Sequence, residues 1–266
     1  MRKKRLANNT LSSLILQITT IICGFILPKL ILSNFGSDVN GLVNSITQFL
    51  QIFAFLDLGV GAVFQSSLYK PLADNDIVKI SEIYVSGQKF FTRLAEILLG
   101  YVIVLIVVYP FIANQNFGFT YTATLIVAMS VSSFAQYYFG MANGLFLTAD
   151  QRGYIQYNVQ IITLILNTLS CYILIYLGAS IHIVKMTTSL IYLIRPIVLK
   201  VYVDKHYSLN KKAVYTDEPI KQKWNGLAQH IASVLLDSTD TIVLTVFSTL
   251  AYLSFYSVYY LVISGF

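Results

Sequence analysis

Seven long and almost purely apolar stretches, followed by the start of an eighth, dominate this sequence. Each complete run has about 17 to 27 residues. Because an α-helix rises about 1.5 Å per residue, each can cross the roughly 30 Å hydrocarbon core of a bilayer. Barrel strands would be about ten residues long and would alternate polar and apolar side chains. The sequence therefore predicts an all-α polytopic membrane protein. The runs are Leu11–Leu32, Leu42–Leu68, Phe90–Ala113, Tyr121–Leu147, Tyr154–Leu177, Ile183–Leu199 and Leu227–Phe247, and the eighth begins near Leu250.

The composition excludes other classes of protein. Of the 266 residues, 56% are apolar and 11% are charged, whereas soluble domains have about 45–50% and about 25%. The two cysteines form no disulfide framework, and no His/Cys cluster indicates a metal site. No GK[ST], H-E-x-x-H or G-x-S-x-G motif occurs, so we expect neither an enzyme nor a cofactor.

Lysine and arginine are distributed asymmetrically between the connections. Fifteen of the 18 basic residues lie in the N-terminal segment, in the connections that follow the second, fourth and sixth spans, or at the start of the third span. The alternate connections contain none. Since cytoplasmic loops are enriched in Lys and Arg, we expect a multi-pass protein of the cytoplasmic membrane with its N-terminus in the cytoplasm. The net charge of +6 is explained in this way and does not indicate nucleic-acid binding.

The longest polar segment, residues 201–224, marks the only internal boundary. It separates six predicted spans from the two that begin after it. We therefore expect a six-span N-terminal lobe over residues 1–200, a cytoplasmic linker over 201–224, and the start of a second lobe over 225–266.

Basic residues inside apolar helices are the first candidates for a binding site, because a charge at the bilayer centre costs at least about 2.5–3.5 kcal/mol. The candidates are Lys29, Arg93, Lys185 and Arg195. Lys29 follows a proline and could face a cavity or extend to the outer headgroups. Arg195 precedes a proline and is too deep to reach the interface. Together the four side chains could form a cationic vestibule for a phosphate-bearing ligand.

Three aspartates are the candidates for ion coupling or gating. Asp237 and Asp240 are three residues apart and share a helix face, where two carboxylates could bind a proton or Na⁺; alternatively, they cap a polar group and pair with a base. Asp57 could contribute to coupling or form a structural ion pair near Arg93 and Glu96.

Several stretches carry a resemblance to a known family. They include FILPKLILSNFGSDVNGLVNSITQFLQIFAFLDLGVGAVFQSSLYKPLA, FAQYYFGMANGLFLTADQRGYI, GASIHIVK with LIRPIVL, and EPIKQKWNGLAQHIA. The chain resembles bacterial polysaccharide-biosynthesis flippases, the Wzx-like oligosaccharidyl-lipid translocases of the MATE-like superfamily. The likeness extends along nearly the whole chain.

The resemblance implies two six-helix lobes around a central cavity that alternately opens to each side of the membrane. It implies transport of an undecaprenyl-pyrophosphate-linked oligosaccharide, coupling to H⁺ or Na⁺, and a polysaccharide polymerase and membrane lipids as partners. It assigns headgroup binding to Lys29, Arg93 and Arg195. Because the chain ends within its eighth span, we expect a fragment, a frameshifted product or half of a split transporter.

Two other functions remain open from the sequence. A cation or drug antiporter of the same superfamily would have an acidic and aromatic cavity, whereas the basic residues favour an anionic headgroup. A seven-helix receptor fits the length, but it normally has its N-terminus outside the cell.

Overall fold

The structure is a computed structural model that describes residues 2–53, 55–112, 117–215, 220 and 239–264. No β-strand occurs in these ranges, which confirms the predicted all-α class. The helices are α1 (Arg2–Ile52), α2 (Phe55–Asp74), α3 (Ile77–Ile112), α4 (Phe119–Ala149, with a π-helical turn at Gln136–Gly140), α5 (Gly153–Tyr176), α6 (Ile181–His206, interrupted at Leu193), α7 (239–247) and α8 (Leu250–Ser264).

Five of the helices in the described part of the chain are long and apolar enough to span a membrane, namely α1, α3, α4, α5 and α6. Their outer faces are also apolar. Large exposed side chains include Ile103, Val107 and Phe111 on α3 and Leu169 and Ile173 on α5. Soluble monomers rarely expose extended apolar faces. The fold is therefore compatible with a multi-pass membrane protein.

Helix α1 contains two limbs that fold back on each other at Gly36. This residue has φ 84° and ψ 173°, a conformation that glycine adopts without steric penalty. The first limb approaches α8 where Gly24 faces Leu261, and the second approaches it where Asn44 donates a hydrogen bond to Ser257. A straight helix would separate residues 24 and 44 by about 30 Å. Contact with neighbouring turns of α8 therefore requires a reversal of the chain.

The second limb of α1 runs parallel to α8 at very close range. Asn40 Nδ2 donates a hydrogen bond of 2.8 Å to Ser254 Oγ. One residue further on, a Cβ at Gly41 would overlap the backbone carbonyl of Leu250. Small residues and interhelical hydrogen bonds are the usual basis of helix association in a bilayer, and both are present here.

The second predicted span, Leu42–Leu68, is not one continuous helix. α1 ends at Ile52 and α2 begins at Phe55. Neither Gly nor Pro marks this point. The ring of Phe53 is buried between those of Tyr101 and Tyr137, at centroid distances of 6.0 and 5.4 Å. Tertiary aromatic packing accompanies the interruption, and the local sequence does not signal it.

The sixth helix extends beyond its predicted end at Leu199 to His206. It thus continues into the polar segment 201–224, where Val203 is buried and no glycine or proline interrupts the helix. Most of the seventh predicted span lies outside the described residues. The lobe and linker boundaries remain predictions.

Candidate binding cavity

A cavity of about 590 Å³ lies between α1, α4, α5 and α6. Its volume is within the range of roughly 300–1,000 Å³ that is typical of small-molecule sites. The fold-back at Gly36 allows both limbs of α1 to contribute. The lining residues include Leu27, Ile31, Thr47, Leu50, Gln51, Met129, Ser132, Ser133, Gln136, Tyr137, Gln160, Thr163, Leu164, Asn167, Cys171, Lys185, Thr188, Ser189, Tyr192 and Arg195.

Two cations from α6 line this cavity. Lys185 and Arg195 are ten residues apart, which corresponds to about 15 Å along the helix axis. Arg195 Nε is buried and has no hydrogen-bond partner among the described residues. A buried donor without an acceptor costs about 1–3 kcal/mol. The fold therefore holds a guanidinium group that has unused hydrogen-bonding capacity at the cavity.

Among the residues that the structure describes, no acidic side chain lines this cavity. The ion pairs within the described ranges lie elsewhere, and they are Arg5–Asp150, Lys79–Asp76, Arg152–Asp150 and Lys211–Asp204. The charges of Lys185 and Arg195 are therefore not balanced by a carboxylate at the cavity wall. Because the surrounding helices have a low dielectric constant, these charges act strongly on a ligand that enters.

Amide and hydroxyl groups supply the neutral polar part of the lining. Asn167 Nδ2 donates to the hydroxyl of Tyr192 at 3.3 Å, and Ser189 Oγ donates to Ser132 Oγ at 3.5 Å. Gln160 also faces the cavity. Amides can both donate and accept hydrogen bonds, so this wall can bind hydroxyl-rich ligands.

The position of Arg195 depends on two irregular helices that meet beside it. Pro196 cannot donate the backbone hydrogen bond to the residue four positions earlier, and α6 is interrupted at Leu193. On the facing helix, a Cβ at Gly140 would lie 3.0 Å from Cβ of Pro196. Gly140 ends the π-helical turn that presents Gln136 to the cavity. The close approach of α4 and α6 thus defines this end of the cavity.

The four predicted headgroup residues do not all come together. Lys185 and Arg195 share the cavity. Lys29 and Arg93 do not line it, and both side chains are exposed on α1 and α3. The structure therefore brings Lys185 and Arg195 together but not Lys29 and Arg93, and the headgroup role of all four residues remains a prediction.

Among the predicted acidic candidates, only Asp240 has a side chain in the described part of the chain, and it does not line the cavity. Asp240 is exposed and accepts a hydrogen bond of 2.7 Å from the hydroxyl of Tyr256. Asp237 lies outside the described residues, so its pairing with Asp240 remains a prediction. Asp57 belongs to α2, but its side chain is also outside the described part.

Sequence reasoning missed a polar junction at the end of the bundle that contains the N-terminus. Asp150 accepts hydrogen bonds from Arg5 and from the hydroxyl of Tyr207, and it pairs with Arg152 at 2.9 Å. Burial raises the pKa of Tyr207, and the hydrogen bond to Asp150 raises it further. The phenol therefore remains a neutral donor near pH 7. This junction connects the starts of α1 and α5 with the end of α6.

Comparison with known proteins provides no significant match to a family model, a curated protein or a solved structure. The functional assignment below consequently rests on the residues of this chain and on the cavity that they form.

Proposed function

We propose that this chain takes part in moving a polyprenyl-pyrophosphate-linked oligosaccharide across the cytoplasmic membrane, as the resemblance of its sequence to the Wzx-like flippases implies. The observation that carries the proposal is the cavity between α1, α4, α5 and α6, where Lys185 and Arg195 lie without an acidic residue among the described lining residues. Burial of two such cations costs a helical bundle stability, and an anion that binds beside them offsets this cost.

The chemistry of the headgroup fits these two side chains. A diphosphate carries several acceptor oxygens, and an arginine guanidinium binds phosphate with two parallel hydrogen bonds. Lysine acts as a mobile point charge. The unsatisfied Nε of Arg195 acquires an acceptor when a phosphate binds, so part of the cost of burying it is recovered in the complex.

The neutral polar wall suits the sugar part of such a substrate. Gln136, Gln160 and Asn167 come from two different helices, and all three line the cavity. Their amides complement hydroxyl groups without strong selectivity for one sugar. The apolar outer faces of the bundle are compatible with a polyprenyl tail that remains in the lipid.

The contact between α1 and the last two helices combines polar and apolar groups. It includes hydrogen bonds between small side chains, among them Asn40–Ser254 and Ser45–Thr245 at 2.8 and 3.0 Å, and Leu250 and Leu253 are buried in the hydrophobic core. In the two-lobe arrangement that the resemblance implies, this contact lies between the lobes.

A cation or drug antiporter is the second candidate and is less well supported. Such a protein needs carboxylates in its cavity, and the described part of the cavity wall contains none. Nothing in the geometry of the described residues favours a receptor.

Binding to purified chain in lipid nanodiscs tests the proposal. The probe is geranylgeranyl pyrophosphate, with geranylgeraniol and inorganic pyrophosphate as comparison ligands. We expect Arg195→Gln and Lys185→Gln each to weaken binding of the probe by about tenfold or more, because hydrogen bonds to charged groups contribute about 1.5–3 kcal/mol. Lys29→Gln and Arg93→Gln are matched controls that remove a charge outside the cavity and are expected to bind normally.

The same preparations can be used for translocation of a fluorescent polyprenyl-pyrophosphate glycan in proteoliposomes. Unchanged binding by both cavity variants would refute the headgroup role. Tighter binding of tetraphenylphosphonium than of the pyrophosphate probe would instead support the antiporter.

A further inference from the structure

Three lysines help to line a second and separate cavity of about 300 Å³. It lies between α3, α4, the end of α6 and the segment that follows α6. Lys89 comes from α3, Lys200 from the end of α6, and Lys211 from the segment after α6. None of these lysines belongs to the cavity described above.

The depth of this second cavity follows from the apolar runs of the sequence. Lys89 directly precedes the run Phe90–Ala113, and Lys200 directly follows the run Ile183–Leu199. Both lysines therefore lie at the boundary between hydrocarbon and headgroups. The distribution of basic residues predicts that this boundary is the cytoplasmic one.

Two of the three lysines lie over aromatic rings, and the third pairs with a carboxylate. Lys200 Nζ lies 4.8 Å from the ring centroid of Phe139, and Lys89 Nζ lies 5.1 Å from that of Tyr215. Lys211 pairs with Asp204 at 2.6 Å. In the described ranges, neither Lys89 nor Lys200 pairs with a carboxylate. Both can therefore neutralise an external anion.

We propose that this cavity binds the headgroup of an anionic phospholipid from the cytoplasmic leaflet. Basic pockets between membrane helices on the cytoplasmic side are a known type of site for acidic headgroups. Exposed apolar side chains beside Lys200 on α6, Ile197 and Val201, supply a surface for the acyl chain. A soluble anion would make no use of that surface. The inference is independent of the proposed transport function.

Native mass spectrometry of the full chain in detergent, titrated with phosphatidylglycerol or phosphatidylcholine, measures the preference for acidic lipid. The test variant is Lys89→Gln/Lys200→Gln. The control is Lys205→Gln/Lys212→Gln, which removes two exposed lysines of the same end of the bundle that do not line the cavity. Because both variants lose two charges, a general effect of net charge is the same in each.

We expect phosphatidylglycerol to bind the test variant about fivefold more weakly for each lysine removed, while the control retains the affinity of the unaltered chain. Lys89→Arg/Lys200→Arg should also retain it, and this variant shows whether a loss reflects the charge or the fold. Equal weakening in test and control variants would overturn the proposal. Full displacement of the lipid by millimolar inorganic phosphate would also overturn it, because the site would then bind a soluble anion.

Discussion

Replacement of Arg195 by methionine should stabilise the bundle while it abolishes binding. A methionine side chain has the same number of heavy atoms as arginine up to Nε, so its terminal methyl group takes the place of that nitrogen. The variant therefore removes the buried Nε that has no partner in the described structure and preserves most of the packing against α4.

The magnitude follows from the desolvation of this one group. A buried donor without an acceptor costs about 1–3 kcal/mol, and methionine has no such donor. We expect Arg195→Met to raise the free energy of unfolding by about 1–3 kcal/mol. Loss of function with gain of stability is the trade-off expected of a residue that is retained for a ligand.

A second arginine on the same chain supplies the matched control. Arg152 pairs with Asp150 at 2.9 Å, and its side chain is 25% exposed. Because Asp150 keeps Arg5 and Tyr207 as partners, Arg152→Met should lower the free energy of unfolding by only about 1 kcal/mol. The two Arg→Met variants should thus differ in sign when both are measured by steric trapping in bicelles.

An Arg195→Met variant that is destabilised as much as Arg152→Met would contradict the anion-site assignment. Arg195 would then be a residue that holds the helices together, and its presence would not indicate an anion site. If the variant is stabilised but still binds geranylgeranyl pyrophosphate, the cost of burying Nε is confirmed, and the role of Arg195 in binding this ligand is refuted.

Three other outcomes are expected. Gly41→Ala places a Cβ against the carbonyl of Leu250 and should lower the free energy of unfolding by about 1–3 kcal/mol, as measured by steric trapping; an unchanged value would contradict the close contact. Tyr207→Phe should cost about 1 kcal/mol at pH 7. Because the raised pKa of Tyr207 favours the protonated phenol in the fold, its stabilising effect is lost as the pH rises above about 10, where unfolded tyrosine ionises; a constant difference in unfolding free energy between pH 7 and 11 would disagree. A cysteine at Ser180 should react with a membrane-impermeant reagent added outside cells and one at Ser208 should not, and the reverse result would overturn the predicted orientation.

The sequence predicted the helical class and the ends of several helices because long apolar runs have few alternative structures. It did not predict the interruption at Phe53, since that residue packs between rings that are distant in the chain. The junction at Asp150 escaped for the same reason, because Arg5 and Asp150 are 145 residues apart. Contacts between remote segments leave no local signal.

The candidate site was predictable to the extent that charge identifies it. Lys185 and Arg195 stand out in apolar runs, but so does Lys29, which faces away from the cavity. A helix that is apolar all round does not indicate which face is internal. Polar residues within one apolar run give a further signal. Gln160, Thr163 and Asn167 follow the spacing of one helix face, and all three line the cavity.

Helix α6 relates the two proposed anion sites to each other. Lys185 and Arg195 line the first cavity and Lys200 lines the second, so the three cations follow one another along the helix axis. Arg195 and Lys200 are five residues apart, which is about 7.5 Å along the axis. Between the cavities, the π-helical turn of α4 presents Gln136 to one side and Phe139 to the other, with Gly140 against Pro196. Pro196 cannot donate a backbone hydrogen bond and α4 has its π-helical turn at the same level, so two irregular helices meet between the two cavities.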